Sequence, residues 1–200
     1  MIKSLLVTLC LMTSGLISVA QDEQRVAAAT EITWFGLDLT QVNVVAEVKP
    51  GKEVVDVYFV GWNNIIANER DKYDFAKAFK KDQVHYEIGM VGELNQQRDP
   101  STVITQQRHE ISEDELAKHI QTYTTSGSGV GLVFVVENFD KPNEEGTIWV
   151  TFFDIESKRI LLARKMSGKA GGFGFRNYWA RTVYNVLNDA RRQYRKWVKP

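Results

Sequence analysis

The sequence predicts an α+β domain: a single mixed α/β sheet of about five strands with helices packed on it, in the order β-α-β-α-β-β-β-α. Three observations lead there. Three apolar runs late in the chain are joined by links too short to hold a crossover helix. Two earlier strand-like runs are separated by stretches with helical spacing. A long amphipathic pattern then closes the chain.

Residues 32–39 read as the first strand. Trp34 and Phe35 are adjacent and so point to opposite faces, which suggests a strand covered on both sides. Pro50-Gly51 interrupts the chain. Apolar side chains then recur at Val54/Val55, Tyr58/Phe59, Trp62 and Ile65/Ile66, the spacing of a buried helix stripe. A shorter helix is expected over 75–80. Val84, Tyr86, Ile88 and Met90 alternate with His85, Glu87 and Gly89, which predicts a half-exposed strand on which His85 and Glu87 share a face and can pair. A polar stretch follows through Asp99-Pro100. Ser112 and Glu115 have capping-box spacing and open a helix whose buried side is Leu116, Ile120 and Tyr123.

Residues 130–137, 147–154 and 160–165 are the expected meander, with turns at 140–146 and at Glu156-Ser157-Lys158. The last helix is expected over 175–198, its core stripe running from Tyr178/Trp179 through Val186/Leu187 to Tyr194 and Trp197. Strands linked through helices are expected to be parallel and the meander antiparallel. No internal repeat or long linker divides the chain.

Met1 to Ala20 has the three parts of a secretory signal: a charge at Lys3, an apolar run from Leu5 to Met12, and small residues at Ser18-Val19-Ala20. Cleavage is expected between Ala20 and Gln21, leaving residues 21–200 as one domain in the periplasm or outside the cell. The apolar stretch, about 15 residues, falls short of the roughly 20 that span a bilayer, so an integral membrane protein is not expected. Of the 25 basic and 25 acidic residues only Lys3 would be lost, giving 24 against 25 and a formal charge of −1. A neutral exported chain is a poor partner for nucleic acid. The single cysteine, Cys10, would leave with the signal, which removes disulfides, thiol catalysis and cysteine-ligated metal.

Candidate sites are few. Ser167 to Arg176 is rich in glycine and lies between the last strand and the last helix; amides of Gly171, Gly172 and Gly174, with Lys169 and Arg176, could cradle an anion at a helix N-terminus. Its spacing is neither the phosphate-loop nor the dinucleotide fingerprint, so the plainer expectation is a tight connector anchored to the core by Phe173 and Phe175. The last helix carries Arg191, Arg192, Arg195 and Lys196 near its end, where cations complement the helix dipole and could also form a basic docking surface, with Trp197 exposed for a partner. Asp38, Glu137 and Asp154 fall at strand ends; converged, they could bind a hard cation or serve acid–base chemistry. His85, His109 and His119 have no metal-ligand spacing, and neither HExxH nor GxSxG occurs. No cofactor, metal or catalytic residue is therefore expected.

Ile148 to Ile155, followed by a hairpin and a terminal helix, resembles the periplasmic domains of outer-membrane assembly lipoproteins of the curli-secretion and peptidoglycan-synthase cofactor types, over the last 70 residues or so and at the level of topology. The stretches Trp34-Phe35-Gly36, Trp62-Asn63 and Gly171 to Trp179 look like signatures of an uncharacterised family of exported envelope proteins. The resemblance implies an envelope location, with no lipid-attachment motif here. Export without a catalytic motif favours a non-catalytic module binding a protein, cell-wall or lipid partner. The alternative is a small-anion-binding or hydrolytic domain, which needs the Gly-rich loop and Asp38 or Asp154 in one cleft.

Overall fold

The computed structural model describes residues 21–199, so the expected export signal lies outside the described residues. Seven strands form one mixed sheet among them: β1 (Glu31–Asp38), β2 (Asn43–Val45), β3 (Gln83–Tyr86), β4 (Ile104–Thr105), β5 (Val130–Asp140), β6 (Glu145–Asp154) and β7 (Ile160–Lys169). The central strand is β5. One edge of it takes β1 along Gly131 to Val135 and then β2 along Asn138 to Asp140, both parallel. Beyond these lie β3, parallel to β1, and β4, parallel to β2. The other edge takes β6 and then β7 as the expected antiparallel meander.

Helices cover both faces. Residues 21–28 form α1. The helix α2 is continuous from Gly51–Glu53 through a π-helical stretch, Val54–Phe59, to Val60–Asn68. Then come α3 (Phe75–Phe79), α4 (Gly89–Gln96), α5 (Glu113–Gln121) and α6 (Phe175–Trp197). Trp34 belongs to the larger core with α1, α2, α3 and α6, and Phe35 to a smaller core with α4 and α5. The two adjacent aromatics thus do face opposite ways, as the strand's period of two requires. Aromatic stacking fills the larger core, with Trp34 on Phe75 at 4.2 Å and Phe139 on Trp179 at 4.8 Å.

The capping box at Ser112 and Glu115 is present, with Leu116 and Ile120 buried behind it. The expected strand through Met90 is shorter. Its alternation lasts from Gln83 to Tyr86, and Gly89 opens α4 instead. The last bond to β1 is Glu87 N–H to Trp34 O, and β1 bulges at Gly36. His85 Nε2 lies 3.1 Å from Glu31 on β1, so its partner is across the ladder and is not Glu87.

Where β3 stops, two buried amides replace a strand. Asn63 of α2 accepts from Leu37 N–H at 2.7 Å and donates to Leu37 O at 3.0 Å. Asn95 of α4 donates to Leu37 O at 2.8 Å and accepts from Leu39 N–H at 2.7 Å, bridging alternate residues as a parallel neighbour does. Buried backbone groups need such partners. We expect Asn95→Leu to lower stability by about 1–3 kcal/mol, because Leu39 N–H is left unpaired. Urea denaturation checks this; an unchanged midpoint would show that water substitutes for the amide.

Glycines let the elements meet. A Cβ at Gly36 would stand 2.6 Å from Asn63 Oδ1, and one at Gly168 would stand 2.2 Å from the Thr182 carbonyl of α6. The Trp62 indole N–H donates to Arg176 O at 3.0 Å, and its ring packs 5.7 Å from Phe175. The three stretches singled out in the sequence therefore form one seam: Gly36 against Asn63, then Trp62 against the start of α6. At the far end α1 buries Val26, and the Lys81 ammonium caps its last turn by donating to Val26 O and Ala29 O. Burial pulls Lys81 down to about 8.

Candidate functional site

The polar residues of the sheet fall into an interior cluster and an end surface, and they differ in what can reach them. The interior cluster is centred on Asp38, the last residue of β1, which is 0% exposed. Its Oδ1 accepts from Thr40 N–H at 2.9 Å and Thr40 Oγ1 at 2.5 Å. Its Oδ2 lies 2.6 Å from His119 Nε2 and accepts from Tyr123 OH at 2.5 Å. Burial pushes the carboxyl up, but His119, through its bond and its charge, and the Thr40 and Tyr123 hydroxyls outweigh it and hold Asp38 below the usual carboxylate range. Burial and the adjoining Asp38 charge push Tyr123 well above the usual phenol. The His119 side chain is 12% exposed. This arrangement clasps the end of α5 to the sheet, and both carboxylate oxygens of Asp38 are engaged within it.

Glu137 lies on the same face, two residues beyond Val135, the partner of Asp38. Its Oε2 is 2.8 Å from Lys165 Nζ, and His109 Nε2 meets the Glu137 carbonyl at 2.9 Å. Asp154 is elsewhere. It pairs with Val130 at the opposite end of β5. There it accepts from Ser157 N–H and Oγ in the β6–β7 turn and pairs with Arg25 of α1. The three carboxylates do not converge, and among the described residues no group of three acidic, histidine or cysteine side chains could hold a metal ion.

The end surface lies where β2, β5 and β7 finish, at the carboxyl ends of mutually parallel strands, the side on which open α/β sheets bind ligands. Ser167, Gly168 and Lys169 belong to β7, so the loop proper is 170–174. Gly172 and Gly174 have φ of +103° and +80°, which is what their lack of a side chain permits. Gly174 caps α6 with no side-chain bond. Phe175 packs on Tyr58 at 4.5 Å, as the core anchor expected of it. Phe173 does the reverse: it is 95% exposed and is no anchor.

A second loop, residues 46–50, joins the first. Lys49 Nζ stands 5.2 Å from the Tyr58 ring and 5.4 Å from Phe175, and its neighbour Val48 is 94% exposed. On α2, Val57 and Val60 flank Tyr58 and are also exposed. Val60 faces the groove between α2 and α4, beside Ile88 and Gly92, so the apolar side chains exposed on the two loops are Val48 and Phe173. Lys169, Arg176 and Lys141 surround the Gly-rich loop, and among the described residues none of them forms an ion pair; Lys141 lies over the Tyr178 ring at 3.8 Å.

This end contains Lys169, Gly171, Gly172, Gly174 and Arg176 of the expected anion site but neither Asp38 nor Asp154. Asp38 lies on the other face of the sheet, under α5. Asp154 ends β6 while Glu145, opposite Lys169, begins it, a separation of about 30 Å for a ten-residue strand. The single cleft that a hydrolytic domain would need is absent. Arg191, Arg192, Arg195 and Lys196 lie at the far end of α6, and Arg192 pairs with Asp189. Trp197 beside them is 7% exposed and belongs to the larger core, so it does not serve a partner.

No family model matches the chain, and no curated protein or solved structure is significantly similar to it. No described helix is long and apolar enough to cross a membrane.

Proposed function

We propose that the protein is an exported, non-catalytic envelope module that binds its partner with the end surface built by the 46–50 loop, the outer side of α2 and the 170–174 loop. The observation that carries this is Phe173: a large apolar side chain 95% exposed on a glycine-flanked loop at the ligand-binding end of the sheet. A folded chain gains nothing for its own stability from that placement. Export rests on the signal pattern before Gln21, and the likeness to envelope proteins points the same way. The interior carboxylates support this reading too, since Asp38 is committed to Thr40, His119 and Tyr123.

A photo-crosslinking residue placed at Phe173 tests the proposal in intact envelopes. It should capture a partner efficiently, while the same group at Arg195, at the far end of α6, should not. Equal capture at both positions would overturn the assignment of the surface. Phe173→Ser should leave the melting temperature unchanged within about 1 °C, because an exposed side chain contributes little to folding.

A further inference from the structure

We infer that the partner of this end is a bilayer surface carrying anionic headgroups, entered by Phe173 and held by Lys169, Arg176 and Lys141. The inference rests on the reading of the end as a contact surface and adds the chemistry of what it meets. Phe173 stands clear of its own chain, so no groove of this protein shapes a matching pocket around it. Its backbone is set by Gly172 and Gly174 at positive φ, and a Cβ at Gly174 would meet nothing within 4 Å. A projecting aromatic at a loop tip, with a second exposed apolar side chain at Val48, suits a fluid apolar layer better than a preformed pocket.

The charges around the tip decide the sign of that layer. Lys141, Lys169, Arg176 and Arg181 border the loop, and the carboxylates beside them are Glu144, which accepts from Tyr178 OH at 3.2 Å, and Glu145, opposite Lys169 across the ladder. The acidic residues of α2 are already matched, Glu53 with Lys49 of the 46–50 loop at 2.8 Å and Asp56 with Lys52 of the helix itself. Lys141, Lys169, Arg176 and Arg181, none of them in an ion pair among the described residues, thus outnumber the unpaired carboxylates of this end, Glu47 and Glu144. Headgroup phosphates would meet these cations while the Phe173 ring passes between, which is the arrangement of peripheral proteins that combine a shallow apolar anchor with basic side chains.

The test uses residues 21–200 and vesicles of phosphatidylcholine alone or mixed with phosphatidylglycerol. The protein should sediment with the mixed vesicles and remain in solution with the neutral ones. Phe173→Ser should weaken that partition about tenfold or more. Replacing Lys169 and Arg176 with glutamine should weaken it about fivefold per charge. Raising the salt should release the protein, as screening requires. The inference falls if the mixed vesicles do not retain the protein, if Phe173→Ser sediments as well as the parent, or if substituting Arg191, Arg192 and Arg195 abolishes binding instead. Crosslinking at Phe173 separates the two readings. Capture of an envelope protein without vesicle binding leaves the contact surface standing and refutes the lipid; absence of both refutes both.

Discussion

Asp38→Ala should cost about 3–5 kcal/mol of folding free energy, the usual range when one partner of a buried charged cluster is removed. The substitution strips His119 and Tyr123 of their acceptor at once, and Tyr123 is itself buried. An unpaired phenol in an apolar layer between Phe153 and α5 keeps its full desolvation cost. Urea denaturation with tryptophan fluorescence measures the loss. A change under about 1 kcal/mol would show that water enters and re-pairs both groups. The acid dependence follows from the sign of the shift. Because the folded state holds Asp38 below its unfolded value, its contribution is complete above an unfolded pKa of about 4 and fades as pH falls through the lower folded value. The stability gap between the parent and Asp38→Asn should therefore be constant near neutrality and close in strong acid. A gap that widened on acidification would mean that the carboxylate is not the favoured form.

Gly168→Val should be comparably severe for a different reason. The position is a strand residue on which α6 rests, and its missing Cβ lets Thr182 O approach to where that atom would be, 2.2 Å away. Backbone cannot yield as a side chain tip does. Relieving the clash means lifting α6, which carries Trp179, Val183, Val186 and Leu187 into the larger core. Overpacking alone costs about 1–3 kcal/mol, and partial undocking of the helix adds to it. A fall in melting temperature of about 6–12 °C is expected by calorimetry for roughly 3 kcal/mol in a domain of this size. Gly92→Ala is the control: within α4 it meets open space and has no positive φ, so no clash or strain opposes it and the melting temperature should not fall. Equal losses at the two glycines would refute the packing role of Gly168.

What the sequence could disclose of this fold was what repeats along it. The opposite faces of Trp34 and Phe35, the meander and the stripe of α6 all follow from periodicity, and the capping box from a spacing of three. β2 and β4, three and two residues long, are too short to carry a period. α4 begins Gly-Met-Val-Gly, which signals neither helix nor strand, and its function is to bring Asn95 to a strand edge 58 residues away. No local pattern announces an amide standing in for a strand. Phe173 reads as an anchor in the sequence because aromatic residues usually bury; the glycines at Gly172 and Gly174 allow the loop to turn it outward. The interior cluster did leave a trace. His119 sits within the buried stripe of Leu116, Ile120 and Tyr123, and a histidine among core positions asks for a partner. Naming Asp38, 81 residues earlier, needed the three-dimensional register.

The central position of β5 also fixes the order in which the chain can fold. β1 and β2 find their main partner about a hundred residues downstream, and until it arrives the described chain offers only two short pairings, β1 with β3 and β2 with β4. Two strands alone are marginal in water. The segment from β5 to α6 is the reverse, two tight hairpins and a helix that folds back on them, contacts of short sequence separation that form early. A chain emerging from its amino end first would stay pliable until its final third had followed, and would then close from the rear forward.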